Sequence, residues 1–169
     1  MCLQLIALAE RILSRKQYDE LQKLLTDLHL RDCGKYDDLS KVLPIISTVY
    51  SQEDYVDFIA QGFYIKDDLF ILGYLSYRGK CIETGYYDED MPDRIADYIK
   101  QQADLYMDIQ PDEDDMTHFW QELRDVLIKN QYTLLIFNSD HYYEDQIFIF
   151  VLKSSLYSLA IDDEWYYNI

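Results

Sequence analysis

The residues Ile147-Phe148-Ile149-Phe150-Val151-Leu152 carry no polar side chain in either alternate set. Side chains of a strand point alternately to its two faces, so a strand made of these residues has to be covered on both. It is expected at the centre of a sheet, and the stretch from Gln131 to Asp162 around it is what the rest of the chain must pack on. Ahead of it, Tyr132 to Phe137 is a second apolar run, bounded by Asn130 and by Asn138-Ser139-Asp140, with aromatic and branched residues that suit a pleated surface. Ser154-Ser155 reads as a turn into a third strand, Leu156 to Ile161, with Tyr157, Leu159 and Ile161 on the buried face. The last residues, DDEWYYNI, are too apolar for a loose tail and are expected to dock.

The chain before this stretch is mostly helical in rhythm. Leu5, Leu8, Ala9 and Ile12 form one stripe and Leu21, Leu24, Leu25 and Leu28 another, with a joint at Ser14 to Gln17 and a stop at Cys33-Gly34. A third stripe, Leu39, Val42, Leu43 and Ile46, contains Pro44, which kinks the helix or confines it to a late start. Ser51 to Gly62 reads as a short capped helix. Next come two β-rich runs, Leu69 to Tyr77 and Lys80 to Tyr87, on either side of Arg78-Gly79, which together predict a hairpin. Pro92 opens a helix whose stripe is Ile95, Tyr98, Ile99, Gln102 and Tyr106, and Phe119, Leu123, Val126 and Leu127 mark another that ends at Asn130.

The expectation is one α+β domain over residues 1–169: helices at about 2–60, a hairpin at about 69–87, helices at about 92–107 and 117–129, and strands at about 132–161. Its helical N-terminal half would pack on a mainly antiparallel sheet of about five strands. A chain of 169 residues that is 49% hydrophobic has the size and composition to bury a core. No run approaches the roughly 18 apolar residues of a membrane helix. The start, MCLQLIALAERILSRK, lacks a basic n-region and reads as a retained amphipathic helix rather than a signal peptide. Cys2, Cys33 and Cys81 form no CxxC and no Cys/His cluster, which argues against a disulfide scaffold or zinc site and for a cytoplasmic protein.

Charge excludes more. With 15 basic and 32 acidic residues the net charge is -17, and Glu83 to Asp115 holds 12 acids against Arg94 and Lys100. Nucleic acid and anionic membranes both require a basic surface, so neither is an expected partner. Neither GxGxxG nor GxxxxGK[ST] occurs, which removes the familiar phosphate-binding loops. Asp112 to Asp115 is acidic like a calcium loop, but Thr117 and Leu123 stand where that loop needs glycine and glutamate. Pro92-Asp93 and Pro111-Asp112 begin like a restriction-type nuclease site without the acid-x-Lys triplet that completes it. His29, His118 and His141 fall in three different elements, none in a nucleophile-and-base context. No catalytic residue, metal site or cofactor is assigned.

What remains is binding. Seventeen tyrosines exceed what a core requires, and several stand beside acids: Tyr86 and Tyr87 before Asp88, Glu89 and Asp90, Tyr142 and Tyr143 before Glu144 and Asp145, and Tyr166 and Tyr167 after Asp162 to Glu164. Tyrosine supplies stiff contact area with a polar tip, and neighbouring carboxylates steer Lys and Arg of a partner. The first two clusters, with Asp112, Glu113, Asp114 and Asp115, are the candidate partner-binding residues.

A small, acidic, tyrosine-rich α+β chain without a catalytic motif resembles the immunity proteins that bacteria make beside contact-dependent and other polymorphic toxins. The resemblance spans the chain and lies in size, charge and residue texture, so no residue role transfers with it. It implies a stoichiometric inhibitor of a basic toxin domain, often a nuclease. A self-associating adaptor or regulatory domain of a bacterial or phage system, working as a homodimer, is the alternative, with an enzyme of unrecognised type behind it.

Overall fold

The computed structural model describes residues 2–30, 43–46, 67–85, 89–107, 116–138 and 146–157. They belong to two compact units, Met1–Lys80 and Cys81–Ile169.

The first unit is helical. α1 (Cys2–Ile12) and α2 (Arg15–Leu30) part at Ser14, where the Gln17 amide donates to Ser14 Oγ (3.4 Å) and the Ser14 amide donates to Gln17 Oε1 (3.0 Å). This reciprocal pair satisfies two amides that a helix start leaves without partners, and it places the joint where the sequence has Ser-x-x-Gln. Leu5, Leu8, Ala9 and Leu13, then Leu21 and Leu25, are buried. α3 (Leu43–Ile46) is a single turn with Pro44 in its first positions, where the missing amide costs nothing. α1, α2 and α3 all pack on α4 (Asp67–Tyr77).

α4 overturns the hairpin expected over 69–87. Every residue from Leu69 to Leu75 is buried, so no polar face distinguishes a period of 3.6 from a period of two. Arg78-Gly79 is a helix terminus, not a two-residue turn. Gly79 takes φ 65° and donates to Ser76 O (2.8 Å), while the Lys80 amide donates to Leu75 O (2.8 Å), the paired bonds of a left-handed helix stop. The helix expected at Ser51 to Gly62 and the stop at Cys33-Gly34 lie outside the described residues.

The second unit contains β1 (Ile82–Gly85), α5 (Met91–Ala103), α6 (Met116–Lys129), β2 (Tyr132–Asn138), β3 (Gln146–Lys153) and α7 (Ser154–Tyr157). Its sheet is antiparallel in the order β1-β3-β2, so the strand without polar residues is central. Ile147, Ile149 and Val151 of β3 join Ile136 of β2 in a core closed by α5 and α6, including Ile95, Tyr98, Ile99, Phe119, Trp120 and Leu123. Phe148, Phe150 and Leu152 point to the other face and are buried as well, with Phe150 opposite Leu135 and edge-on to Phe137 at 5.4 Å. Full burial of each such side chain stabilises by about 1.5 to 3 kcal/mol.

Two further expectations change here. The third strand, expected at Leu156 to Ile161, begins instead as the helical turn α7. Lys153 pairs with Tyr132 at the end of β2, Gln131 has turned to φ 65°, and the Ser154 amide donates back to Gln131 O (2.8 Å), so the ladder has no residue left to continue on. Residues 158–169, with the expected docking end, lie outside the described residues. The helix expected over 92–107 stops at Ala103 because Asp104 takes φ 56° and ψ 33°. The fold is thus α+β with a sheet of three strands among the described residues, not about five. Among these residues no helix is long and apolar enough to cross a membrane.

Candidate functional site

α5 has one apolar side and one charged side. Met91, Ile95, Tyr98 and Ile99 are buried. At 100° per residue, Asp90, Asp93, Asp97 and Asp104 project into an arc of about 60° on the other side, and at 1.5 Å per residue they form a ridge about 21 Å long. All four are exposed, as is Glu89 just before them. Asp90 is the N-cap but makes no side-chain capping bond. Residues 89–107 hold five acids against Arg94 and Lys100, but three of the five, Glu89, Asp90 and Asp104, lie outside α5, which itself balances Asp93 and Asp97 with Arg94 and Lys100 as α6 balances Glu122 and Asp125 with Arg124 and Lys129. The negative excess of the segment therefore lies at the two ends of α5, and the exposed Lys100, about 20° from Asp93 in helical projection, stands beside the ridge.

Tyr106 follows the ridge and is 80% exposed, between half-buried Leu105 and buried Met107. The helical stripe puts Tyr106 on the core side; the left-handed Asp104 ends the helix first and releases it. Aspartate takes this conformation at less cost than branched or bulky residues.

Behind the ridge, Arg94 turns toward β1. Its Nη1 donates to Thr84 Oγ1 (3.3 Å) and its Nη2 to the Glu83 carbonyl. Burial, then the nearby Cys81, pushes the Tyr98 phenol well above its ordinary range, and a hydrogen bond with the Val151 backbone pulls slightly the other way. Burial, then the Glu83 charge, raises the Cys81 thiol. A buried thiol held protonated is a poor nucleophile.

The first unit has a polar network of a different kind. The hydroxyl of the buried Tyr74 shares its single proton between Glu20 Oε2 (2.8 Å) and the Gln17 carbonyl (2.9 Å), and accepts from Arg78 Nε (3.2 Å). Arg78 also pairs with Glu20 and lies over the Tyr74 and Tyr77 rings, 5.1 Å from each centroid. Burial first, then the Glu20 hydrogen bond, pushes the phenol up to about 12. That value suits a helix-joining strut rather than a proton carrier near neutral pH.

Of the residues singled out in the sequence, Glu89 and Asp90 are exposed at the start of α5. Tyr86, Tyr87, Asp88, Asp112, Glu113, Asp114, Asp115, Tyr142, Tyr143, Glu144 and Asp145 lie outside the described residues, as does His141. His118 is exposed on α6, with Nε2 3.3 Å from Glu122 Oε1. Asp93, Asp97, Asp104 and Tyr106 are the additions. The first two follow from the sequence, because a core side of Ile95, Tyr98 and Ile99 obliges them to face away. Among the described residues, no group of three or more His, Cys, Asp or Glu is placed to hold a metal ion. No family model matches the chain, and no curated protein or solved structure does either.

Proposed function

We propose that the chain is a non-catalytic acidic binding protein that neutralises a cationic toxin domain by stoichiometric binding, as an immunity protein does. The α5 ridge and Tyr106 form part of its docking surface, continuous in sequence with the acid and tyrosine cluster that ends in Glu89 and Asp90. The observation that carries the reading is the gathering of four exposed aspartates on one side of one helix and its two caps. Like charges aligned in this way raise the local concentration of a cationic partner and its association rate, an effect screened by salt, while an exposed tyrosine beside them offers area for slow dissociation.

The test uses the protein encoded beside this chain. A basic neighbour whose activity disappears at one equivalent, with an association rate that falls steeply as salt is added, is the expected result. Asp93→Lys with Asp97→Lys slows that association by at least about tenfold and leaves the circular dichroism spectrum unchanged. A neighbour that is acidic, or an association rate indifferent to both salt and charge reversal, overturns the proposal.

A further inference from the structure

We infer that Arg94 is a positioning residue for the α5 ridge, a role that rests on the docking function proposed above. In helical projection Arg94 lies about 40° from Asp90, on the flank between ridge and core. Its guanidinium is nonetheless directed at the sheet, onto the Thr84 hydroxyl and the Glu83 carbonyl. Thr84 is the one polar or charged residue buried among the described residues, at 0% exposure, and it sits opposite Ile147 in the ladder. A hydroxyl in such surroundings needs a partner, and a cation is a strong one. β1 has four residues and, among the described residues, is an outer strand of the sheet, with β3 on one side. Arg94 therefore binds a short outer strand to the first turns of the helix that carries Asp90, Asp93 and Asp97. α5 cannot roll about its axis, which would swing those carboxylates out of line, without breaking both bonds. A docking face held in its bound form loses less freedom on binding, and the gain is read in the dissociation rate.

The sign of one substitution separates this role from simple electrostatics. Arg94→Met keeps the stem and removes a positive charge beside the ridge, so charge alone predicts tighter binding of a cation. Positioning predicts the opposite. The probe is an oligolysine peptide of fixed length, followed by stopped-flow fluorescence, with amide hydrogen exchange of β1 and α5 measured on the same samples. The expected result is dissociation and exchange each at least about tenfold faster in Arg94→Met, which loses both charge-assisted hydrogen bonds, with Arg94→Lys recovering much of both. Thr84→Val removes the Thr84 anchor alone and should move both readouts the same way by less, which keeps the test alive if Arg94→Met does not fold. Tighter binding by Arg94→Met, or unchanged exchange, overturns the inference. If the wild-type chain shows no salt-dependent binding of the peptide, the docking proposal falls, while the exchange data still decide whether Arg94 fixes α5.

Discussion

Replacing Tyr74 with phenylalanine keeps the packing of the ring and removes the strut between α2 and α4. The lost oxygen makes bonds of 2.8 Å to Glu20, 2.9 Å to Gln17 and 3.2 Å to Arg78. A hydrogen bond to a charged partner contributes a net of about 1.5 to 3 kcal/mol. Glu20 and Arg78 are both partly exposed and pair directly with each other without the phenol. Solvent screening and the surviving ion pair bring the expected loss down to about 1 to 2 kcal/mol. The phenol also gives a pH signature. It is pushed from 10.0 to about 12 in the fold, by burial first and the Glu20 bond second. Because the folded value is the higher one, its contribution is complete below the unfolded value near 10 and is lost as pH rises through 12. Two units correspond to about 2.7 kcal/mol for a fully shielded group, and a hydroxyl beside partly exposed charges delivers less. Urea unfolding followed by circular dichroism should show Tyr74→Phe less stable by 1 to 2 kcal/mol at neutral pH, with the gap to wild type narrowing at about pH 11. Equal stability at neutral pH, or a gap that stays constant into alkali, refutes the account of the strut.

Phe148→Ala, at a fully buried site on the central strand, should cost about 3 to 5 kcal/mol in the same unfolding measurement. A loss below about 1 kcal/mol would mean that β3 is not the core of its unit. Asp104→Gly removes a side chain from a left-handed position with φ 56° and should raise stability by about 0.5 to 1 kcal/mol, while slowing association with a cationic partner. Destabilisation by this change would show that the aspartate, not the backbone geometry, holds the helix end.

The sheet is legible because β3 has no polar side chain to place in solvent, and that alone makes it central. The joint between α1 and α2 is legible because Ser14 and Gln17 stand at capping distance. α4 is not: Leu69 to Leu75 are buried all round, and periodicity needs a polar face to be seen. Its context misleads too, since Arg78-Gly79 serves a helix stop as readily as a hairpin, and only the bonds to Leu75 and Ser76 tell them apart. α7 is hidden for another reason. The alternation from Leu156 onward is real, but a strand also needs a neighbour to pair with, and β2 begins only at Tyr132, the partner of Lys153.

The ridge is half legible, and the way it escapes notice bears on what it does. Consecutive acids such as Asp88, Glu89 and Asp90 catch attention in a sequence, yet on a helix consecutive residues point in different directions. Acids three, four and seven apart share a side, and these are Asp90, Asp93, Asp97 and Asp104. Carboxylates three or four apart, as in Asp90 with Asp93 and Asp93 with Asp97, repel one another at a few tenths of a kcal/mol per pair, and Asp104 adds the cost of a left-handed aspartate where glycine would sit freely. Asp90 and Asp93, at the helix start, are favoured by the helix dipole, and Asp97 has Lys100 three residues on; the feature that does not serve folding is the left-handed Asp104, whose exchange for glycine would favour the helix end. A left-handed aspartate kept at an exposed helix end, on the same side as Asp90, Asp93 and Asp97, is a local cost of the kind that the proposed docking surface would contain.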